Sequence, residues 1–242
     1  MRYAIFSDVH SNLEALDAVV KAYQEERIDQ YFCVGDVVGY ATNPQECIQK
    51  VKSFTNIVIA GNHDWAAVDL FSTEFFNPLA LEAIVWTKEN LNQEDRSFLQ
   101  SLKLTYQNDD FTLVHGTLEN PESFDYMIDV EAAEKTFSLL KTGICFVGHS
   151  HIAGVFMKDE APGVSYQEDG SLNLKPSHKY IVNVGSVGQP RDGNPKAAYC
   201  VFDTEKRQIQ IKRVAYDVGL TRHKILQAGL PSFLGDRLLQ GE

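Results

Sequence analysis

Between Tyr3 and Asp64 the chain three times runs through a short apolar stretch straight into polar residues able to ligate a metal. Tyr3-Ala4-Ile5-Phe6 leads into Ser7-Asp8-Val9-His10, Tyr31-Phe32-Cys33-Val34 into Gly35-Asp36, and Ile57-Val58-Ile59-Ala60 into Gly61-Asn62-His63-Asp64. Continuous apolar runs of this length read as strands buried on both faces of a sheet. Helical signals lie between them. Ser11-Asn12-Leu13-Glu14 reads as a capping box ahead of an apolar face of Leu13, Leu16, Val20 and Tyr23. Asn43, Pro44 and Glu46 open a second helix that turns Ile48, Val51 and Phe54 to the sheet. Strand and helix in alternation imply parallel strands, and open α/β sheets hold ligands at the carboxyl ends of their strands.

From Trp65 to about Gln107 the pattern turns helical. Asn77-Pro78 starts a helix carrying Leu81, Ile84, Val85 and Leu91, and Asn92 caps a shorter one with Phe98, Leu99 and Leu102. This stretch, 65–107, is a helical insertion, either a cap over the site or an ordinary outer layer. Strands with polar ends return at Phe111-Thr112-Leu113-Val114-His115-Gly116 and Ile144-Cys145-Phe146-Val147-Gly148-His149-Ser150-His151, with a helix capped by Asp129 between them. That helix turns Val130, Ala133, Phe137 and Leu140 inward. The second half is strand-rich and antiparallel: Gly154 to Lys158, Val164 to Gln167, Ser171 to Lys175, Tyr180 to Val184, then a hairpin of Ala198 to Phe202 and Gln208 to Val214. An amphipathic tail, Leu220 to Leu239, is expected to dock on the sheet. Two packed sheets with helices outside fit this order, and a single doubly wound sheet is the alternative.

A length of 242 residues with 44% hydrophobic content suits one domain, 1–242, with a sizeable core. The net charge of −11 argues against a nucleic-acid duplex or an anionic membrane as partner, because both need a basic face. Cys33, Cys47, Cys145 and Cys200 form no CxxC pair and read as small buried hydrophobes of a reducing compartment. No run reaches transmembrane length and no signal-peptide pattern precedes the first strand, so the expected location is the cytoplasm.

Five of the seven histidines, His10, His63, His115, His149 and His151, fall at ends of apolar runs beside Asp8, Asp36 and Asn62. Asp8 and His10 stand two apart, as do His149 and His151, so in an extended chain each pair leaves one face. Imidazole with carboxylate suits Mn²⁺, Fe, Co²⁺, Ni²⁺ or Zn²⁺ better than Ca²⁺ or Mg²⁺. A carboxylate at Asp36, closing a strand inside a glycine loop, has oxygens that can bridge two cations.

Taken together, Asp8-Val9-His10, Gly35-Asp36, Gly61-Asn62-His63-Asp64, His115-Gly116 and Gly148-His149-Ser150-His151 resemble the motif set of the calcineurin-like metallophosphoesterases. Asn183-Val184-Gly185-Ser186-Val187-Gly188-Gln189-Pro190-Arg191 resembles a later motif of the bacterial and archaeal phosphodiesterase branch. The resemblance implies a four-layer α/β/β/α sandwich of two packed mixed sheets and two divalent metal ions, manganese first. It implies Asp8, His10, Asp36 and His151 on one ion, and Asp36, Asn62, His115 and His149 on the other, with Asp36 bridging. His63 would face the substrate and protonate or stabilise the leaving oxygen, while metal-activated hydroxide attacks.

One departure narrows the substrate. Protein Ser/Thr phosphatases of the superfamily continue into an Asp-Arg-Gly turn, whereas this chain reads Val38-Gly39-Tyr40-Ala41-Thr42. Small phosphodiesters or nucleotides therefore lead as substrates, ahead of a phosphoprotein or a dinucleoside polyphosphate. Arg191 is a candidate replacement for the missing phosphate clamp, with Asn12 and Tyr40 as further substrate-side residues. The rival from another class is a metal-binding interaction scaffold, as in the retromer subunit of similar fold, but a scaffold would not need His63 and every ligand.

Overall fold

Side-chain alternation along the first strand decides the layering. In β1 (Arg2–Phe6), Tyr3 and Ile5 enter one apolar core while Ala4 and Phe6 enter another, so the strand is buried on both faces. The computed structural model describes residues 1–159, 163–168 and 170–242. After β1 come α1 (Leu13–Gln24), β2 (Gln30–Cys33), α2 (Pro44–Phe54), the short α3 (Asn62–Ala66), α4 (Pro78–Glu89) and α5 (Gln93–Ser101). Then follow β3 (Thr105–Gln107), β4 (Thr112–Val114), α6 (Val130–Leu139), β5 (Ile144–Val147), β6 (Gly154–Lys158), β7 (Ser165–Glu168), β8 (Ser171–Asn173) and β9 (Lys179–Asn183). The chain ends with β10 (Ala197–Asp203), β11 (Gln208–Val214), α7 (Val218–Gln227) and α8 (Ser232–Asp236).

One sheet runs β2-β1-β10-β11-β8 and the other β3-β4-β5-β9-β6-β7. Both are mixed: β1 pairs parallel with β2 but antiparallel with β10, and β9 parallel with β5 but antiparallel with β6. Between the sheets Tyr3, Ile5, Phe32 and Val34 meet Phe111, Leu113, Phe146 and Val182. Phe111 takes edge-on contacts from Tyr3 at 5.4 Å and Phe146 at 5.3 Å. Burying a side chain of this size contributes about 1.5–3 kcal/mol. Outside, α1 and α2 cover the first sheet, and α6 covers the second through Ala133 and Phe137. The two-sheet sandwich is thus present and the single doubly wound sheet is not. No helix among the described residues is long and apolar enough to cross a membrane, and all four cysteines are free and buried.

Several local expectations change. The run Ile57 to Ala60 is not a regular strand but makes two isolated bridges, Cys33 to Val58 on one side and Ile59 to Lys103 on the other. Each bridge is a single parallel pair, so no ladder lasts beyond a residue. The cap of α1 is Asn12, which accepts from the Ala15 amide at 3.1 Å, because Ser11 is held in the left-handed region. Asn43 does not cap α2 through its side chain, which instead donates to Glu46. In α4 the buried face is Ala80, Ala83, Ile84 and Thr87, with Leu81 and Val85 exposed, and Val130 of α6 is exposed as well. The 65–107 stretch divides its duties. Leu91, Leu99 and Leu102 join the core beside α1, Thr105 to Gln107 form an edge strand, and Phe71 to Ala80 wall a cleft. The tail docks on α1 and on Tyr40, Ala80 and Ala83 through Ile225, Leu234 and Leu238, rather than on a sheet.

Candidate metal centre

Backbone strain, rather than strand alternation, aims the polar residues. Asp8 (φ 55°), His10 (φ 49°), Asp36 (φ 54°), His149 (φ 67°) and His151 (φ 61°) all sit in the left-handed region, where a non-glycine residue pays a conformational penalty that surrounding contacts must overcome. Those contacts are present. The Asp8 amide donates to the Gly35 carbonyl and the His10 amide to the Asp36 carbonyl, each at 3.0 Å, so the first two loops lock together. The late motif braces them from behind. Ser186 Oγ donates to the Asp8 carbonyl at 2.9 Å, and Asn183 Nδ2 donates to the Gly148 carbonyl at 2.9 Å and to Ser150 Oγ at 2.8 Å.

Each carboxylate is held by one oxygen and presents the other inward. Asp36 Oδ1 accepts from the His63 amide at 2.8 Å and Asp8 Oδ2 from the His149 amide at 3.1 Å. Asp36 Oδ2 and Asp8 Oδ1 are buried with no hydrogen-bond donor, and Asn62 Oδ1 shares that condition. The approach needs bare backbone, since a Cβ on Gly61 would fall 2.0 Å from Asp36 Oδ1.

The histidines are oriented by carbonyls. Nδ1 of His10 faces the Val38 carbonyl at 3.1 Å, Nδ1 of His115 the Val34 carbonyl at 2.6 Å, and Nδ1 of His151 the Gln189 carbonyl at 2.6 Å. A carbonyl only accepts, so each Nδ1 carries a proton, which leaves Nε2 of each ring facing inward. His10 Nε2 then lies 3.0 Å from His151 Nε2, His151 Nε2 3.2 Å from Asp8 Oδ1, and His115 Nε2 3.2 Å from Asp36 Oδ2. Lone pairs converging at such distances repel unless a cation or proton stands among them. Asp8, His10 and His151 form one group with ligand atoms within 4.8 Å of one another, and Asp36, His115 and His149 form another. This donor set fits divalent transition ions.

Electrostatics follow the same geometry. Burial alone would raise Asp8 and Asp36, but the surrounding imidazoles, His151 first for Asp8 and His115 first for Asp36, hold both well below the usual carboxylate range. Burial, helped by His115, pushes His149 down to about 3, and burial with Arg191 pushes His151 down to about 4, which keeps both in the neutral form that could accept a cation. For His115 burial is outweighed by Asp36, raising it to about 9. A cation taking this nitrogen displaces a proton, so affinity falls as pH falls.

His63 also approaches His10 and Asp36, but its Nδ1 lies against Gly39 without a partner, and its ring forms part of a cleft floor with Tyr40 and Phe76. Burial first, then His10 and Arg191, hold it well below the ordinary imidazole value despite Asp36. Asp64 accepts from the Val38 and Gly61 amides, both at 3.1 Å, and so ties the Asp36 loop to the Asn62 helix. Arg191 stands over the Tyr40 ring at 5.5 Å and donates to Gln189 Oε1 at 2.7 Å. Asn12 is held within the fold: it caps α1, accepts from Thr221 and donates to the Gly188 carbonyl.

The profile of the calcineurin-like phosphoesterase superfamily domain matches residues 1–207. The chain belongs to that superfamily. A metallophosphoesterase from Sphaerobacter thermophilus has the same fold at a TM-score of 0.88 and 37% identity, the match covering 100% of this chain and 99% of that one. An uncharacterized protein from Methanocaldococcus jannaschii is 38% identical over 242 residues, 98% of this chain and 97% of its own. A hypothetical protein from Pyrococcus horikoshii, 19% identical, superposes at a TM-score of 0.81 over 100% of this chain and 98% of that one, which speaks for the fold alone. The chain is therefore a metallophosphoesterase, a hydrolase with candidate ligands for divalent metal.

Two features of this metallophosphoesterase escaped the sequence reading. Tyr126 stacks on His149 at 4.0 Å and 18°, and Phe124, buried beneath the site, keeps a left-handed backbone. They lie in an irregular loop with no periodicity to flag them. Arg237, from the turn after α8, is the other: burial and then Arg191 lower it, which marks two guanidinium groups as neighbours near Tyr40. Only the docking of the tail brings it there.

Proposed function

We propose that this metallophosphoesterase hydrolyses small phosphodiesters or nucleotides with two divalent cations, manganese first, bridged by Asp36. The observation that carries this reading is the convergence of undonated carboxylate oxygens with opposed histidine lone pairs, such as His10 and His151 Nε2 at 3.0 Å. Asp8, His10, Asp36 and His151 would hold one ion, and Asp36, Asn62, His115 and His149 the other. When bound, the ions supply Lewis-acid activation of water and neutralise charge on phosphate oxygens. Against two carboxylates they leave a formal excess of about two positive charges, which favours an anionic substrate.

The chain's own residues do the rest. His63, at the cleft floor, donates a hydrogen bond to the departing oxygen. Arg191, with Tyr40 beneath its guanidinium, binds the non-bridging oxygens. Bonds from the side chains of Asp64, Asn183 and Ser186 to neighbouring backbone keep the ligand loops in place, so the site is organised before substrate arrives. The free, buried cysteines fit a reducing cytoplasmic setting.

The deciding experiment is a panel of phosphodiesters, phosphomonoesters, dinucleoside polyphosphates and phosphopeptides offered to protein reconstituted with each metal. Turnover of small diesters or nucleotides above the rest is expected; preference for phosphopeptides would reverse the order, and no turnover at all would favour a scaffold. Removing metal should also lower thermal stability, because ions bound only by the folded chain stabilise it. Restoring Mn²⁺ to a hundred times its dissociation constant contributes about 2.7 kcal/mol per site. For a chain of this size that raises Tm by roughly 5–10 °C per site, measurable by calorimetry. Arg191→Ala should raise KM for a diester several-fold with metal content unchanged, since a guanidinium holds phosphate in ground and transition states alike. Unchanged kinetics would leave Arg191 as a brace for Gln189.

A further inference from the structure

We infer that the aromatic cleft beside the metal centre seats a nucleobase, which makes nucleotides and nucleoside phosphodiesters the preferred substrates; this rests on the phosphoesterase reading above. The cleft is floored by Asn62, His63 and His149, so whatever fills it adjoins the reacting phosphorus. Its walls are rings: Tyr40, Phe71, Phe75, Phe76, Phe124 and Tyr126. Phe71 packs edge-on against Phe124 at 5.0 Å and 87°, and Phe76 lies 5.1 Å from the His63 ring, which fixes part of the wall. Tyr126, stacked on His149 and about half exposed, offers its other face to a ligand.

Phe75 carries the argument furthest. It is 90% exposed, the most exposed large hydrophobic side chain among the described residues, and it is one of the residues that line this cleft. A planar ring entering the cleft would cover it. The volume, about 170 Å³, is small beside the roughly 300–1,000 Å³ of a pocket that encloses a whole ligand. It therefore takes one portion of a substrate, a single ring system rather than a peptide segment. Flat aromatic walls with polar Asn77 and Ser123 among the lining suit a base, which has two π-faces and a hydrogen-bonding edge, better than an alkyl chain, which gains nothing from stacking.

The test compares adenosine monophosphate with ribose phosphate, which keeps the sugar and phosphate and lacks the base. Both are titrated calorimetrically into metal-loaded protein, and both serve as competitors against hydrolysis of a base-free diester. The nucleotide should bind at least about ten-fold more tightly. Phe75→Ala, a change at an exposed position, and separately Tyr126→Ala should bring the ratio of the two affinities toward one. Equal affinities in the wild type, or a ratio untouched by both variants, would overturn the base site while hydrolysis of the base-free diester left the phosphoesterase reading standing. Failure of metal-loaded wild type to hydrolyse any phosphoester would overturn both.

Discussion

Asp36→Asn is expected to abolish binding of both cations together, whereas His10→Ala should weaken mainly one. The reason is the division of labour within the Asp36 carboxylate. Oδ1 is fixed by the His63 amide at 2.8 Å, and Oδ2 is buried without a donor, 3.2 Å from His115 Nε2 and 3.6 Å from His10 Nε2. Asparagine can still accept from His63, so the loop should hold its shape. It offers a neutral amide in place of the negative oxygen proposed to be shared, and in a buried site the loss of that charge is poorly compensated by solvent. Hydrolysis should fall by more than about 10³-fold, equivalent to about 4 kcal/mol of transition-state stabilisation. Metal content per chain by elemental analysis, with circular dichroism to confirm folding, is the measurement. Two tightly held ions in the variant would remove the bridging role.

His63→Ala should leave the metals and the fold in place while lowering kcat by roughly 10² to 10⁴. Asn62 and His63 are neighbours at the start of a short helix, yet their side chains serve different partners. Asn62 Oδ1 is one of the buried acceptors without a donor, while the His63 ring packs with Tyr40 at 4.5 Å and Phe76 at 5.1 Å on the cleft floor. A group that assists the departing oxygen matters most when that oxygen is a poor leaving group. The deficit should therefore be large for an alkyl diester and shrink for p-nitrophenol. Kinetics with two leaving groups of different acidity, alongside metal analysis, separate this role from metal binding. An equal deficit on both substrates with metal lost would make His63 a ligand, and equal rates with metal retained would give it no part in the reaction.

Most buried runs were legible from residues alone, because burial on both faces demands unbroken apolar sequence, as in Ile144 to Val147, all four buried, whereas Ile57 to Ala60 forms no regular strand and β9 pairs parallel with β5. The caps at Asn77, Asn92 and Asp129 were legible too, each accepting from an amide three residues on, since capping is a local interaction. Helix faces were read less well. Leu81 and Val85 look apolar and lie exposed, because α4 packs through small Ala80 and Ala83 against the tail, and no local pattern announces which partner a helix will meet.

For the centre itself, the sequence determined which atoms are available: five histidines and two aspartates at the ends of apolar runs, with Asn62 beside them. It did not determine how they converge. Spacing of two suggested side chains sharing a strand face, whereas Asp8, His10, His149 and His151 are aimed by left-handed backbone. That conformation is unfavourable for an isolated residue and persists only because loops distant in sequence brace it, as Ser186 does for Asp8 and Asn183 for Gly148. The same holds for the aromatic cleft and for Arg237, whose members come from the loop after β2, the insertion, the loop after β4 and the tail. Local sequence sets the chemistry each residue can offer, but distances between segments are set by sheet pairing and by the packing of helices on the sheets, which are properties of the whole chain.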